Sequence, residues 1–208
     1  MDALERYVLE NSTPQGAALA WLERESWLRT SHGRQLCGPV QGALLRHLVL
    51  MLQPRRVLEI GTFSGYATIW MAGALPDGGR IDTIEINDEM EALIREGLDR
   101  AGVADRVRLI IGDALDVLPL IDERYDLVYI DGNKREYVAY YQSAIELVRP
   151  GGWILADNVL WDGQVVSGDP RSQQTRSILA FNDLVAGDER VENFVLPLRD
   201  GLNIIRKK

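Results

Sequence analysis

Apolar positions along the chain fall into two alternating rhythms. Short runs that are apolar almost throughout, such as Val57-Leu58-Glu59-Ile60 and Leu127-Val128-Tyr129-Ile130, are separated by longer stretches of helical period. The short runs read as strands covered on both faces. They are Arg56–Ile60, Arg80–Ile84, Arg106–Ile110, Leu127–Ile130, Trp153–Ala156, Val191–Leu196 and Leu202–Ile205. Helices are predicted between the first five, at Gly65–Ala74, Glu89–Ala101, Ala114–Ile121 and Arg135–Val148, and after the fifth at Ser172–Val185. Two or three further helices occupy Leu4–Leu50, where they could cap a site or make a subunit contact. Strand-helix alternation requires right-handed crossovers and a mostly parallel sheet. The link Pro197-Leu198-Arg199-Asp200-Gly201 is too short for a crossover, so the last two strands form an antiparallel hairpin at the sheet edge. The pattern is that of an α/β protein with helices on both faces of its sheet.

Ligands of such sheets sit beyond the carboxyl ends of the strands. Five acidic positions collect there: Glu59, Glu85, Asp113, Asp131 and Asp157, the last followed by Asn158. Any one of them alone is equally a helix cap. Glu59-x-Gly61-x-x-x-Gly65 is a tight turn from strand to helix, but its spacing satisfies neither a dinucleotide fingerprint nor a P-loop. Glu59 at the strand tip would repel a pyrophosphate and welcome a cation or an ammonium. Glu85 is placed to accept both hydrogens of a ribose diol, and Asp113 to accept from an adenine amino group. A glycine loop without phosphate chemistry, beside a ribose carboxylate, suits S-adenosylmethionine.

Composition narrows the possibilities. The chain has 208 residues, read as one unit with a helical cap over 1–50 and an α/β core over 55–208. With 23 Lys and Arg against 31 Asp and Glu, the net charge of −8 disfavours nucleic acid and anionic membranes as partners. One cysteine, Cys37, and two histidines, His32 and His47, exclude an internal disulfide and make Cys- or His-rich metal sites improbable. Any metal must be held mostly by oxygen. Cys37 reads as a small buried residue, and both histidines as surface or packing residues. The N-terminus lacks the order of a signal peptide, and the most apolar helical run, Ala43 to Leu52, is too short to span a bilayer. A soluble cytoplasmic protein is expected.

The chain resembles the class I methyltransferases and, more narrowly, the cation-dependent O-methyltransferase family that includes catechol and caffeoyl-CoA O-methyltransferases. The resemblance is carried by Val57 to Tyr66, Gly112-Asp113-Ala114, Tyr129 to Tyr137, Ala156 to Trp161 and Asp200-Gly201-Leu202, and runs from about Gln35 to the C-terminus. It implies a Rossmann-like methyltransferase sheet, S-adenosylmethionine as methyl donor, a small phenolic or catechol-like acceptor and a homodimer.

Asp131 and Asp157-Asn158 end adjacent central strands and can converge. Two carboxylates and an amide oxygen describe an octahedral site for Mg²⁺, with Mn²⁺ or Ca²⁺ as alternatives. Without the resemblance, Asp131 as a helix cap and Asp157-Asn158 as an Asx turn would be preferred. The resemblance further implies that Lys134 is the general base acting beside Asp131. Cofactor contacts carry over to Cys37 and Val40 in a covering N-terminal segment, to Gly61, Thr62 and Ser64 in the glycine loop, and to Ala67 where relatives often have Ser. They also carry over to Glu59, Glu85, Ile86, Asp113, Ala114, Asp131 and Asn133, the last replacing a common Asp. Trp161 and Asp162 should border the substrate, and the helices before Gln35 and the segment Gly163–Gln174 should shape the pocket. Tyr137, Tyr140 and Tyr141 read as core. A nicotinamide-dependent oxidoreductase on a similar sheet is the alternative, and a non-catalytic binding protein a third reading.

Overall fold

The structure is a computed structural model that describes residues 3–167 and 172–208. Three helices come first: α1 (Ala3–Glu10), α2 (Ala17–Arg29) and α3 (Gly38–Leu52). Strands and helices then alternate as β1 (Arg56–Ile60), α4 (Tyr66–Ala72), β2 (Arg80–Glu85), α5 (Glu91–Ala101), β3 (Val107–Ile111) and α6 (Ala114–Val117). The chain continues through β4 (Tyr125–Ile130), α7 (Tyr137–Leu147), β5 (Val148–Asp157), α8 (Gln173–Ala186), β6 (Val191–Leu196) and β7 (Leu202–Lys207). The seven strands form one sheet in the order β3-β2-β1-β4-β5-β7-β6. The first five are parallel, and β7 runs antiparallel to both β5 and β6. The hairpin expected at the edge is present, with β7 turned inward against β5.

Alternate strand residues feed two cores, because successive Cβ atoms leave opposite faces of a strand. Val57, Leu127 and Tyr129 join a core built with α2, α3, α4 and α5. Leu58, Val128 and Ile130 join the other, built with α6, α7 and α8. Both faces are covered, which is why the strand runs are apolar throughout.

Boundaries depart from expectation where local chemistry intervenes. The predicted helix Ala114–Ile121 breaks into α6 and a 3-10 turn, Leu118–Leu120, since Pro119 cannot donate its share of the helical ladder. β5 begins at Val148, upstream of the predicted Trp153, with a shift in register against β4 between Tyr125 and Leu127. Among the described residues, no helix is long and apolar enough to cross a membrane. Within the segment expected to shape the pocket, 168–171 lie outside the described residues.

Candidate functional site

A cavity of about 850 Å³ opens at the carboxyl ends of β1, β2, β4 and β5. Its roof is the segment from the end of α2 into α3, which contributes His32, Cys37 and Gln41. Gly61, Thr62 and Ala67 line it from the first loop, Glu85 and Ile86 from the second, and Ala114 from the third. Asp131, Asn133, Lys134, Asp157, Asn158 and Trp161 complete the wall. Asp162 borders a smaller adjoining hollow that shares Asn158, Arg199 and Asp200.

Four expected cofactor positions do not line this cavity: Val40, Glu59, Ser64 and Asp113. Asp113 takes the ordinary role of a cap, its Oδ1 accepting from the N–H of Leu115 at 2.8 Å. Ser64 is fully buried in the turn. Glu59, expected to greet a cation, is sealed beneath the glycine loop, its Oε2 accepting from Thr83 at 2.6 Å and from Thr68 at 2.5 Å. Burial pushes its carboxyl up to about 8, against the pull of the two threonine hydroxyls.

The glycine loop is shaped by contact as well as by conformation. Gly61 has φ +94°, and a Cβ there would lie 2.5 Å from the carbonyl oxygen of Asp131, so only glycine lets the first and fourth loops touch. Glu85 holds the same loop from the other side. Its Oε2 accepts from the N–H groups of Thr62 at 3.1 Å and Phe63 at 2.6 Å, and its Oε1 from that of Asn87 at 2.9 Å. Three of about four lone-pair positions are thus taken, leaving about one for a ribose hydroxyl rather than the two expected.

The acidic centre lies between β4 and β5. Ile130 pairs with Ala156, so Asp131 and Asp157 follow side by side. Lys134 Nζ donates to Asp131 Oδ1 at 2.8 Å and to the Tyr137 hydroxyl at 2.6 Å. The Tyr137 hydroxyl in turn donates to the carbonyl of Asp157 at 2.9 Å. Asp131 does not take the bland role: Asn133 caps the turn that follows, while Asp157 Oδ1 accepts from the adjacent N–H of Asn158 at 2.7 Å. Burial and then the Asp157 charge push Asp131 up to about 7, while Lys134 pulls it down. Burial and then Asp157 and Asp131 hold the Cys37 thiol well above its ordinary value, so Cys37 is a buried small residue and no thiolate.

Hard oxygen donors fit a hard cation. Asp131 Oδ2 and the Asn158 side chain receive no protein donor among the described residues, and Asp131 stands beside a second carboxylate, Asp157, with Lys134 and Arg199 as the opposing positive charges. Among the described residues, no cluster of three or more His, Cys, Asp and Glu side chains is assembled for a metal; the expected donors are two carboxylates and an amide.

Sequence reasoning missed Gln41 and the tyrosine hydroxyls. Tyr137 and Tyr129 are core residues, as expected, yet both hydroxyls reach Asp157. The available signal was a Gln one turn before the buried Leu45, on the apolar face of α3. Backbone strain also gathers here: Phe63, Asn158, Trp161, Asp162 and Arg199 all have positive φ, as functional loops often do.

The O-methyltransferase family profile matches residues 10–208. The catechol O-methyltransferase of Niastella koreensis is 37% identical over 164 residues, spanning 77% of this chain and 74% of that protein. The caffeoyl-CoA O-methyltransferase of Eucalyptus gunnii is 33% identical over 218 residues, spanning 99% and 88%. The crystal structure of an O-methyltransferase from Bacillus cereus in complex with SAH superposes with a TM-score of 0.93 at 32% identity, covering 99% of this chain and 97% of that one. TomG from Streptomyces achromogenes, an O-methyltransferase involved in tomaymycin synthesis and solved with SAM, gives 0.93 at 31% identity over 100% of both chains. Sheet order and cavity therefore define a Rossmann-like α/β protein of the methyltransferase class. Within that class, the chain belongs to the O-methyltransferase family. The nicotinamide-dependent alternative is set aside by that membership.

Proposed function

We propose that this chain transfers a methyl group from S-adenosylmethionine to a hydroxyl of a small catechol-like or phenolic acceptor. A divalent cation, Mg²⁺ ahead of Mn²⁺ or Ca²⁺, would be held by Asp131, Asp157 and Asn158. The carrying observation is the pair of adjacent carboxylates with Lys134 bonded to one of them at 2.8 Å. When bound, the cation supplies Lewis-acid activation and a template for two vicinal oxygens, and the donor supplies an electrophilic sulfonium methyl.

The chain's own residues do the rest. Glu85 braces the glycine loop and offers its remaining lone pair to the ribose. Lys134, steered by Asp131 and the Tyr137 hydroxyl, would act as the neutral amine, having first given up one ammonium proton to solvent, and take the proton of the acceptor hydroxyl onto the freed lone pair of Nζ. Trp161 and the N-terminal roof exclude water and hold the acceptor against the donor, the near-attack positioning that supplies much of the acceleration. The reading includes a homodimer by analogy with relatives, and a cytoplasmic location as expected from the sequence.

The test is methyl transfer from labelled S-adenosylmethionine to catechol and to phenols lacking the second oxygen, with and without Mg²⁺. Vicinal-oxygen acceptors should be preferred, and saturating EDTA should abolish turnover. Asp157→Ala should lose at least the roughly 100-fold that even outer partners of metal ligands cost. Turnover unchanged in EDTA would refute the cation.

A further inference from the structure

Gln41 is a polar residue buried where packing alone would favour an apolar one. It lies on α3, whose other buried positions are Gly42, Leu45 and Val49, and it is only 2% exposed. Its Nε2 donates to Asp157 Oδ2 at 2.5 Å, and the Tyr129 hydroxyl donates to the same oxygen at 3.0 Å. The amide can face only one way, because an ionised carboxylate accepts and never donates. Asp157 Oδ1 accepts from the N–H of Asn158 at 2.7 Å. Oδ2 is therefore saturated by two side chains, from α3 and from β4, and the one free lone pair of this carboxylate is on Oδ1.

We propose that Gln41 is a positioning residue for the methyl-transfer reaction: with Tyr129 it locks Asp157 so that Oδ1 alone faces the divalent cation. The inference rests on the cation reading above and adds that the N-terminal roof takes part in building the cation site. Anchoring of α3 does not explain the residue. Leu45 and Val49 already bury the helix, and an apolar side chain at 41 would fill the space without desolvating an amide. A buried carboxylate that must be held in one orientation does explain it, since partners of metal ligands fix their geometry.

The test uses Gln41→Met and Tyr129→Phe, titrated with Mn²⁺ alone and followed by electron paramagnetic resonance. Each variant should raise the Mn²⁺ Kd by about 10- to 100-fold, and raise the half-activating Mg²⁺ concentration by the same factor. At saturating Mg²⁺, kcat should stay within about threefold of the wild type, because the loss is one of binding. S-adenosylhomocysteine affinity measured in EDTA should be unchanged, which a merely structural role would not preserve. An unchanged Mn²⁺ Kd in Gln41→Met overturns the inference and leaves the cation reading intact. A wild-type protein that binds no Mn²⁺ overturns both. Should Gln41→Met fail to fold, Tyr129→Phe decides by the same measurements, because it removes the second donor from the same oxygen.

Discussion

Glu59 and Glu85 leave neighbouring parallel strands on the same face of the sheet, and their fates differ by depth: Glu59 is level with Thr83, while Glu85 lies two residues further on, at the carboxyl end of β2. Glu85 reaches the cavity and braces its floor. Glu59 is sealed in the core beneath, and its Oε1 has no hydrogen-bond partner among the described residues. With its carboxyl raised to about 8, the folded protein holds a proton that the unfolded chain has already released. The folded state therefore gains most below the ordinary glutamate range and loses that advantage as pH climbs through the window up to about 8. Glu59→Gln should remove this dependence: relative to wild type, the variant should gain stability steadily between pH 5 and pH 8 in urea unfolding. A difference between the two that stays flat across that range would contradict the assignment. The sequence placed five acids at strand ends, but not which of them face solvent. Depth along the strand and the threonines of α4 and β2 decide that, and they become neighbours only in the folded sheet.

Elements meet where small residues let them. Gly42 sits inside α3, where glycine costs about 1 kcal/mol relative to alanine. The crossing with α4 explains it, since a Cβ at Gly42 would lie 2.1 Å from Trp70 Nε1. Gly42→Ala should therefore destabilise despite its better helix propensity, because overpacking costs about 1–3 kcal/mol. A lower urea midpoint at unchanged slope would show this; a midpoint that rises would show that α3 shifts without penalty. Element existence was legible throughout, and β1 and β6 match their predicted spans. The splitting of the helix after Asp113 followed from Pro119, a signal present in the sequence but outweighed there by the apolar period. The long start of β5 was not legible, because it depends on pairing with Tyr125 across the sheet.

The whole molecule closes its cavity with both ends of the chain. Arg199, in the hairpin loop between β6 and β7, donates from Nη1 to the carbonyl of Leu36 at 3.2 Å, joining segments 163 residues apart. Around that closure, an acidic chain of net charge −8 gathers two of its carboxylates side by side. A cation bound there only in the folded state must stabilise the fold. At a hundred times its Kd, Mg²⁺ should add about 2.7 kcal/mol to the unfolding free energy, visible as a Tm raised by several degrees. NaCl of equal ionic strength should not reproduce the shift, and Asp157→Ala should abolish it. A rise that NaCl matches would mean screening of surface charge rather than a site.

The order of strands and helices, the edge hairpin, the glycine turn and the acids that end β2, β4 and β5 are properties of local sequence. Periodicity, turn chemistry and residue spacing act within a few residues, so the chain by itself determines them. Which side chains meet was decided by the tertiary structure. Gln41 and Asp157 are 116 positions apart, and their bond exists only because α3 folds over the end of β5. The burial that raises Glu59 and Asp131 is likewise a property of what surrounds them, supplied by elements distant in sequence.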